Sequence, residues 1–237
     1  MIEYYEVIAM KKLAIITARG GSKRIPKKNI KEFLGKPIIA YSIEAALQSG
    51  VFDEVMVSTD DEEIAKIAVE YGASVPFFRS SETSNDFSTT NDVLLEVLQE
   101  YEKRGKSFDV ACCIYPTAPF VTAEKLFSAT EKLLASDADV LIPVVAFSYP
   151  PKRGLLIREG KLIFEYPEYL DKRSQDIEPS YHDAGQFYLF RVPNFKKNRR
   201  LMVGNILPLV VSEMEVQDID QITDWEIAEI KYRLLHS

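Results

Sequence analysis

Only two cysteines occur in the 237 residues, Cys112 and Cys113, adjacent within an apolar run. Neighbours on a strand point to opposite faces, which argues against a disulfide between them. The pair reads as buried thiols of a reducing, cytoplasmic compartment. Histidine is equally scarce, with only His182 and His236, and that leaves no donor set for a structural zinc site. Positive charge is in deficit: 29 Lys and Arg against 36 Asp and Glu give a net charge of -7, arguing against a general nucleic-acid binder. No apolar run approaches the ~20 residues that cross a bilayer, so no membrane role is expected. Residues 1–10 lack the basic start and apolar core of a secretory leader. Residues 1–9 read either as an extension before Met10 or as part of the fold.

The chain does contain a regular alternation of apolar strands and amphipathic helices. Strand patterns occur at 13–17, 55–58, 74–79, 110–115 and 140–145. Between them lie helical patterns at 38–47 and 60–72, one through Leu94, Val97, Leu98 and Tyr101, and one through Leu126, Ala129, Thr130 and Leu133. Continuously apolar strands joined by helices predict an α/β fold of three layers, its mainly parallel sheet covered on both faces. A chain of this length suffices for one such domain over 1–237. The alternation breaks after Ala146. Residues 158–161 read as a hairpin turn between 155–157 and 162–164, and 171–183 are polar and weakly patterned. Residues 147–183 therefore look like a small insertion. Strand character returns at 186–192. A last helix begins at the capping-box spacing of Thr223 and Glu226, with Ile227, Ile230 and Leu234 along one face.

The most informative stretch follows the first strand. Residues 18–29 read Ala-Arg-Gly-Gly-Ser-Lys-Arg-Ile-Pro-Lys-Lys-Asn. Gly20 and Gly21 allow backbone N–H groups close to a ligand, and Arg19, Lys23 and Lys28 add charge suited to a polyphosphate. Neither the P-loop spacing nor that of a dinucleotide fingerprint is present. The position is nonetheless apt, because ligands of open α/β sheets bind outside the carboxyl ends of the strands. Other strand ends carry Asp60 and Asp61, which read as a helix cap, and Tyr115-Pro116-Thr117-Ala118-Pro119, which either holds a sugar or shapes a tight turn. In Asp218-Ile219-Asp220, alternate residues of an extended segment bring two carboxylates to one side. Such hard oxygens suit Mg²⁺, although a solvated turn has the same pattern.

Residues 18–29 resemble the signature of the cytidylyltransferases that activate nonulosonic acids, the CMP-sialic acid synthetase family. Arg19, Gly21, Ser22 and Lys23 match its Arg-x-Gly-Ser-Lys stretch, and Lys28 and Asn29 its Lys-Asn. Arg79 resembles the family arginine that lies near cytosine, and Asp218 and Asp220 its metal-binding Asp-x-Asp. Tyr115 stands where the family has a glutamine that helps bind the acceptor sugar. Residues 173–179 and 181–188, with Cys113-Ile114-Tyr115-Pro116-Thr117-Ala118-Pro119, look like the branch that acts on pseudaminic acid.

The resemblance implies a nucleotidyltransferase (Rossmann-like) fold and transfer of CMP from CTP to the anomeric hydroxyl of a nonulosonic acid, pseudaminic acid by branch. Nucleotide-binding residues would be Ala18, Arg19, Gly20, Gly21, Ser22, Lys23, Lys28, Asn29, Arg79 and Thr90, with Arg19, Lys23 and Asp220 catalytic. Tyr115, Arg173, Gln175, His182, Gln186 and Tyr188 would contact the acceptor, and Asp218 and Asp220 would hold Mg²⁺. It also implies a homodimer formed through residues 147–183. Competing readings are a sialic or legionaminic acid synthetase, or a catalytically silent nucleotide-binding module.

Overall fold

The computed structural model describes residues 10–237, so the reading of residues 1–9 lies outside the described residues. Strand β1 (Lys12–Thr17) is followed by the small hairpin β2 (Glu32–Phe33) and β3 (Lys36–Pro37), then helix α1 (Ile38–Gln48). β4 (Glu54–Ser58) leads to α2 (Glu62–Glu70), α3 (Thr90–Lys103), β5 (Val110–Ile114), α4 (Ala123–Leu134) and β6 (Val140–Ala146). The second hairpin, β7 (Leu155–Arg158) and β8 (Lys161–Phe164), precedes β9 (Tyr181–Asp183) and β10 (Phe187–Arg191). The chain closes with α5 (Val192–Asn198), β11 (Ile206–Val210) and α6 (Ile222–Leu235).

The main sheet runs β11-β6-β10-β5-β1-β4, with β9 paired to β6 beyond β10. β1 lies parallel to β4 and β5, and β11 parallel to β6. β10, between β5 and β6, and β9, against the end of β6, run antiparallel to the rest. The predicted α/β class and mainly parallel sheet are therefore what forms. Alternation along each strand builds the layers. Ala14, Ile16 and Cys112 face one cluster with Ile39 and Ile43 of α1 and Leu126, Ala129 and Leu133 of α4. Leu13, Ile15 and Cys113 face the other, with Leu94, Val97, Leu98 and Tyr101 of α3. The cysteines thus point to opposite faces as free, fully buried thiols, and burial pushes both up, Cys113 to about 12.

A third apolar cluster stands beside the sheet and matters more for the site. It joins Ile25 of the glycine-rich loop, Phe33, Ile38, Tyr41 and Phe120 to Ile219, Trp225 and Ala228. Phe33 meets Tyr41, Trp225 and Tyr232 edge-on, with ring centroids 5.4, 5.6 and 5.7 Å apart. Such contacts add to the area that the rings bury.

Several elements differ from the sequence reading. Residues 74–79 form one parallel bridge, Met56 to Ser74, instead of a third strand. Pro76 has no N–H to continue the ladder, and the chain turns back so that the Arg79 N–H donates to Thr59 O at 2.8 Å. The last helix starts earlier than predicted, with Asp224 accepting from the N–H groups of Asp220 and Gln221. Its Ile227, Ile230 and Leu234 stripe is exposed, and the helix packs instead through Trp225 and Ala228 onto the aromatic cluster. Within 171–183 the polar stretch ends in β9, which the weak patterning did not reveal.

One polar contact ties α3 to the start of β4. Glu54 accepts from the Tyr101 hydroxyl at 2.6 Å, Lys106 Nζ at 2.8 Å and Ser74 Oγ at 3.2 Å. Burial works to raise the Glu54 pKa, but the bonds from Lys106, Tyr101 and Ser74 outweigh it and hold the group below its ordinary 4.5. Its contribution to stability is thus full above pH 4.5 and lost as pH falls through the lower folded-state value. Tyr101→Phe should cost about 1–2 kcal/mol in urea unfolding at pH 7, with a smaller cost in acid where Glu54 is protonated. An equal cost at both pH values would reject the coupling.

Candidate active site

The carboxyl ends of β1, β4 and β5 open into a cleft of about 510 Å³. Thr17 at the end of β1 and Arg19, Ser22, Lys23, Lys28 and Asn29 in the loop after it line the cleft, with Arg79 from the segment that returns to Thr59, Thr90 from the start of α3 and Tyr115 from the end of β5. Gly20 is required where it stands, because a Cβ there would lie 2.7 Å from Asp61 Oδ2. Its N–H donates to Asp60 Oδ1 at 2.9 Å, while Asp61 caps α2 through the N–H groups of Glu63 and Ile64. Gly21 faces open space. Ala18 is fully buried, its N–H donating to Ser58 O, so it shapes the loop without lining the cleft. Asn29 is also buried and donates from Nδ2 to Arg19 O at 2.9 Å.

Positive charge converges here in a protein that is acidic overall. Arg79 is only 8% exposed and donates to Ser58 Oγ and Ser58 O at 3.1 and 2.7 Å. Burial pulls its guanidinium below the usual arginine range, partly offset by Asp60 and Glu96. Arg19 and Lys23 both reach Asp86, Arg19 at 2.8 Å. Hydrogen bonds from Lys23 and Arg19 hold that carboxylate below the usual range. Sequence reasoning missed Asp86, whose only signal was its place in the polar run after Arg79. It also missed Arg24, which lines the cleft and pairs with Asp220 at 2.8 Å.

The Asp218-Ile219-Asp220 segment meets the glycine-rich loop at the mouth of this cleft. Ile219 is 1% exposed and packs in the cluster that holds Ile25. Lys28 Nζ donates to Ile219 O at 2.6 Å and lies 3.7 Å from Asp220 Oδ1. Burial lowers the Lys28 pKa against the opposing pull of Asp220 and Asp218. Burial, then the neighbouring Asp220, pushes Asp218 above the ordinary carboxylate value. The two flanking carboxylates are hard oxygen donors near a cationic cleft, a set that fits Mg²⁺ shared with phosphate oxygens.

A second cavity, of about 590 Å³, adjoins the first, and Tyr115 belongs to the wall of both. Phe147, His182, Asp183, Asp218 and Lys231 are among its other lining residues. His182 stacks at a tilt on Phe147, with centroids 4.8 Å apart. Tyr188 stands behind this wall, buried, with its hydroxyl donating to Asp183 Oδ2 at 2.7 Å and its ring edge-on to Tyr115. Gln186 is 3% exposed and donates through Nε2 to Glu215 O, so it braces the segment before Asp218 and does not line the cavity. Arg173 and Gln175 lie on the exposed insertion and line neither cavity; Arg173 is paired bidentately with Asp176.

A family model described as "Cytidylyltransferase" matches residues 13–202. A pseudaminic acid cytidylyltransferase of Campylobacter jejuni is 40% identical over 228 residues, 96% of this chain and 98% of its own length. A CMP-N,N'-diacetyllegionaminic acid synthase of Legionella pneumophila is 35% identical, covering 93% and 95%. Among solved structures, a CMP:2-keto-3-deoxy-manno-octonic acid synthetase complexed with CTP superposes with a TM-score of 0.70 at 19% identity. It covers 95% of this chain and 99% of that one, and at such identity it shows the shared fold.

Asp86 occupies the two loop cations that an incoming anion would need. Asp86→Asn should therefore tighten binding of inorganic pyrophosphate several-fold by calorimetry, since a competing charge is removed. Unchanged or weaker binding would show that Asp86 is not a competitor.

Proposed function

The chain belongs to the cytidylyltransferase family, and from that premise we propose that it transfers CMP from CTP to the anomeric hydroxyl of pseudaminic acid, releasing pyrophosphate. The choice of acceptor rests on the Campylobacter jejuni relatives that carry that name. One observation carries the reading: two adjoining cavities share Tyr115, the first rich in cations and the second sized for a sugar. A triphosphate suits the first and a sugar acid the second.

In the proposed reaction the acceptor hydroxyl oxygen attacks the α-phosphorus of CTP. The bond from that phosphorus to the bridging oxygen breaks, and pyrophosphate leaves with the electron pair. The hydroxyl proton passes to a free carboxylate oxygen of Asp220. Arg19 and Lys23, released from Asp86, stabilise charge on the phosphates, and Lys28 holds the loop against the acidic segment. Ser22 and the open face of Gly21 give the phosphates close approach, and Arg79 with Thr90 lines the nucleotide end. Most of the rate would come from positioning and charge complementarity. Asp218 and Asp220 would hold Mg²⁺, which when bound neutralises phosphate oxygens and lowers the pKa of a bound hydroxyl.

The protein is further proposed to act as a cytoplasmic homodimer. Leu155, Ile157 and Leu162 of the β7–β8 hairpin are exposed, and a lone two-stranded hairpin is marginal in water. A second copy covering this face would stabilise it. Arg173 and Gln175 ride on the same insertion and would then reach the acceptor cavity of the other subunit.

Three measurements test these readings. Purified protein with CTP and Mg²⁺ is offered pseudaminic, legionaminic and N-acetylneuraminic acids, and CMP-sugar is measured. Turnover of another acid but not pseudaminic acid overturns the acceptor choice; no turnover on any leaves a binding module. Lys23→Ala and Asp220→Asn should each lower pyrophosphate release about 100-fold or more with unchanged circular dichroism. For the assembly, Ile157→Asp should convert a dimer into a monomer by light scattering, and a variant that stays dimeric rejects the hairpin interface.

A further inference from the structure

We propose that Lys231 of α6 binds the carboxylate of the acceptor, an inference that rests on the acceptor reading above. A sugar acid brings a permanent negative charge into the second cavity, and that charge needs a cation. Lys231 is the one cationic side chain among the described residues lining that cavity. The acidic groups around it, Asp183, Glu213 and Asp218, would otherwise repel the acceptor.

The ammonium is fixed in place. Lys231 Nζ donates to Val216 O at 2.7 Å and to Glu213 O at 3.2 Å. Those bonds engage two of its three N–H donors and leave one for a ligand. Both acceptors are neutral carbonyls, and no described carboxylate lies within ion-pair distance of Lys231. The neighbouring cations differ: Lys125 pairs with Glu215 at 2.8 Å and Lys28 lies near Asp220. Lys231 is partly buried and held on the segment that carries Asp218, so its charge is pre-positioned without a counter-ion. A cation held this way is poised to take a carboxylate through a charge-assisted hydrogen bond. Arg173, which the family resemblance counts among the acceptor contacts, lies outside the cavities of its own chain.

The test compares Lys231→Gln and Lys231→Arg with the unaltered protein. Glutamine removes the charge and keeps N–H donors on a side chain one bond shorter; arginine keeps the charge. Binding of pseudaminic acid and of its methyl ester, which lacks the negative charge, is measured by calorimetry in the presence of a non-hydrolysable CTP analogue and Mg²⁺. Lys231→Gln should weaken the acid about 10- to 100-fold while leaving the ester and the CTP analogue within about twofold. Lys231→Arg should restore most of the loss. Equal weakening of acid and ester would make Lys231 a brace for residues 213–218 and overturn the proposal. Unchanged acid binding in Lys231→Gln, with loss in Arg173→Gln, would assign the carboxylate to Arg173 of the partner subunit and overturn it too. Failure of the acceptor reading shows separately, as absence of CMP-sugar from the unaltered protein.

Discussion

The contact between Lys28 and the Ile219 carbonyl is the joint on which the site depends. It spans 191 positions of sequence and closes the glycine-rich loop onto the acidic segment. Ile219 is buried in the same apolar cluster as Ile25, so a hydrophobic anchor lies beneath the hydrogen bond. Fully burying an isoleucine is worth about 1.5–3 kcal/mol, enough to fix the segment's facing. With Ile219 inward, Asp218 and Asp220 flank it and are left nearer the solvent. Lys28 also offsets part of the repulsion between them, which allows two carboxylates to stand so close.

Charge in the cleft is balanced by the protein itself. Asp86 takes Arg19 and Lys23, and Asp220 takes Arg24. These pairs are solvent-exposed and individually weak, so they yield to a multivalent anion at little cost. Arg79 differs, because it is buried and bonded to Ser58, and its charge is part of the cleft floor. The second cavity has a different logic: acidic walls, Tyr115 backed edge-on by the buried Tyr188, and, among the described residues, one lysine from the last helix.

Sequence pattern was sufficient wherever burial is periodic. The strands β1, β4, β5 and β6 and helices α1 to α4 have apolar spacings that admit one arrangement, and Cys112 and Cys113 lie on opposite faces as adjacent strand residues must. Pattern failed where an element's partner lay far off in sequence. Residues 74–79 look like a strand, yet Pro76 and the return to Thr59 leave a single bridge. In α6 the aliphatic stripe Ile227, Ile230 and Leu234 was the natural choice of inner face. The aromatic cluster around Phe33 offers a better surface for Trp225, and the helix turns that side inward. Gln186 and Tyr188 sit in a stretch that reads as a substrate site, but both side chains are buried behind the wall they brace.

The sequence by itself determined the α/β class, the cationic loop at the end of the first strand and the two aspartates with a shared facing. These are local properties: strand alternation, glycine's freedom and the spacing of like residues do not need a partner to be read. Only the tertiary structure decided that Lys28 bonds across to Ile219, that Asp86 and Arg24 belong to the cleft, and that Lys231 lines the second cavity. Those facts depend on which surfaces meet after burial has been satisfied, and a cation's role is set by the carboxylates and carbonyls that packing brings within about 4 Å of it.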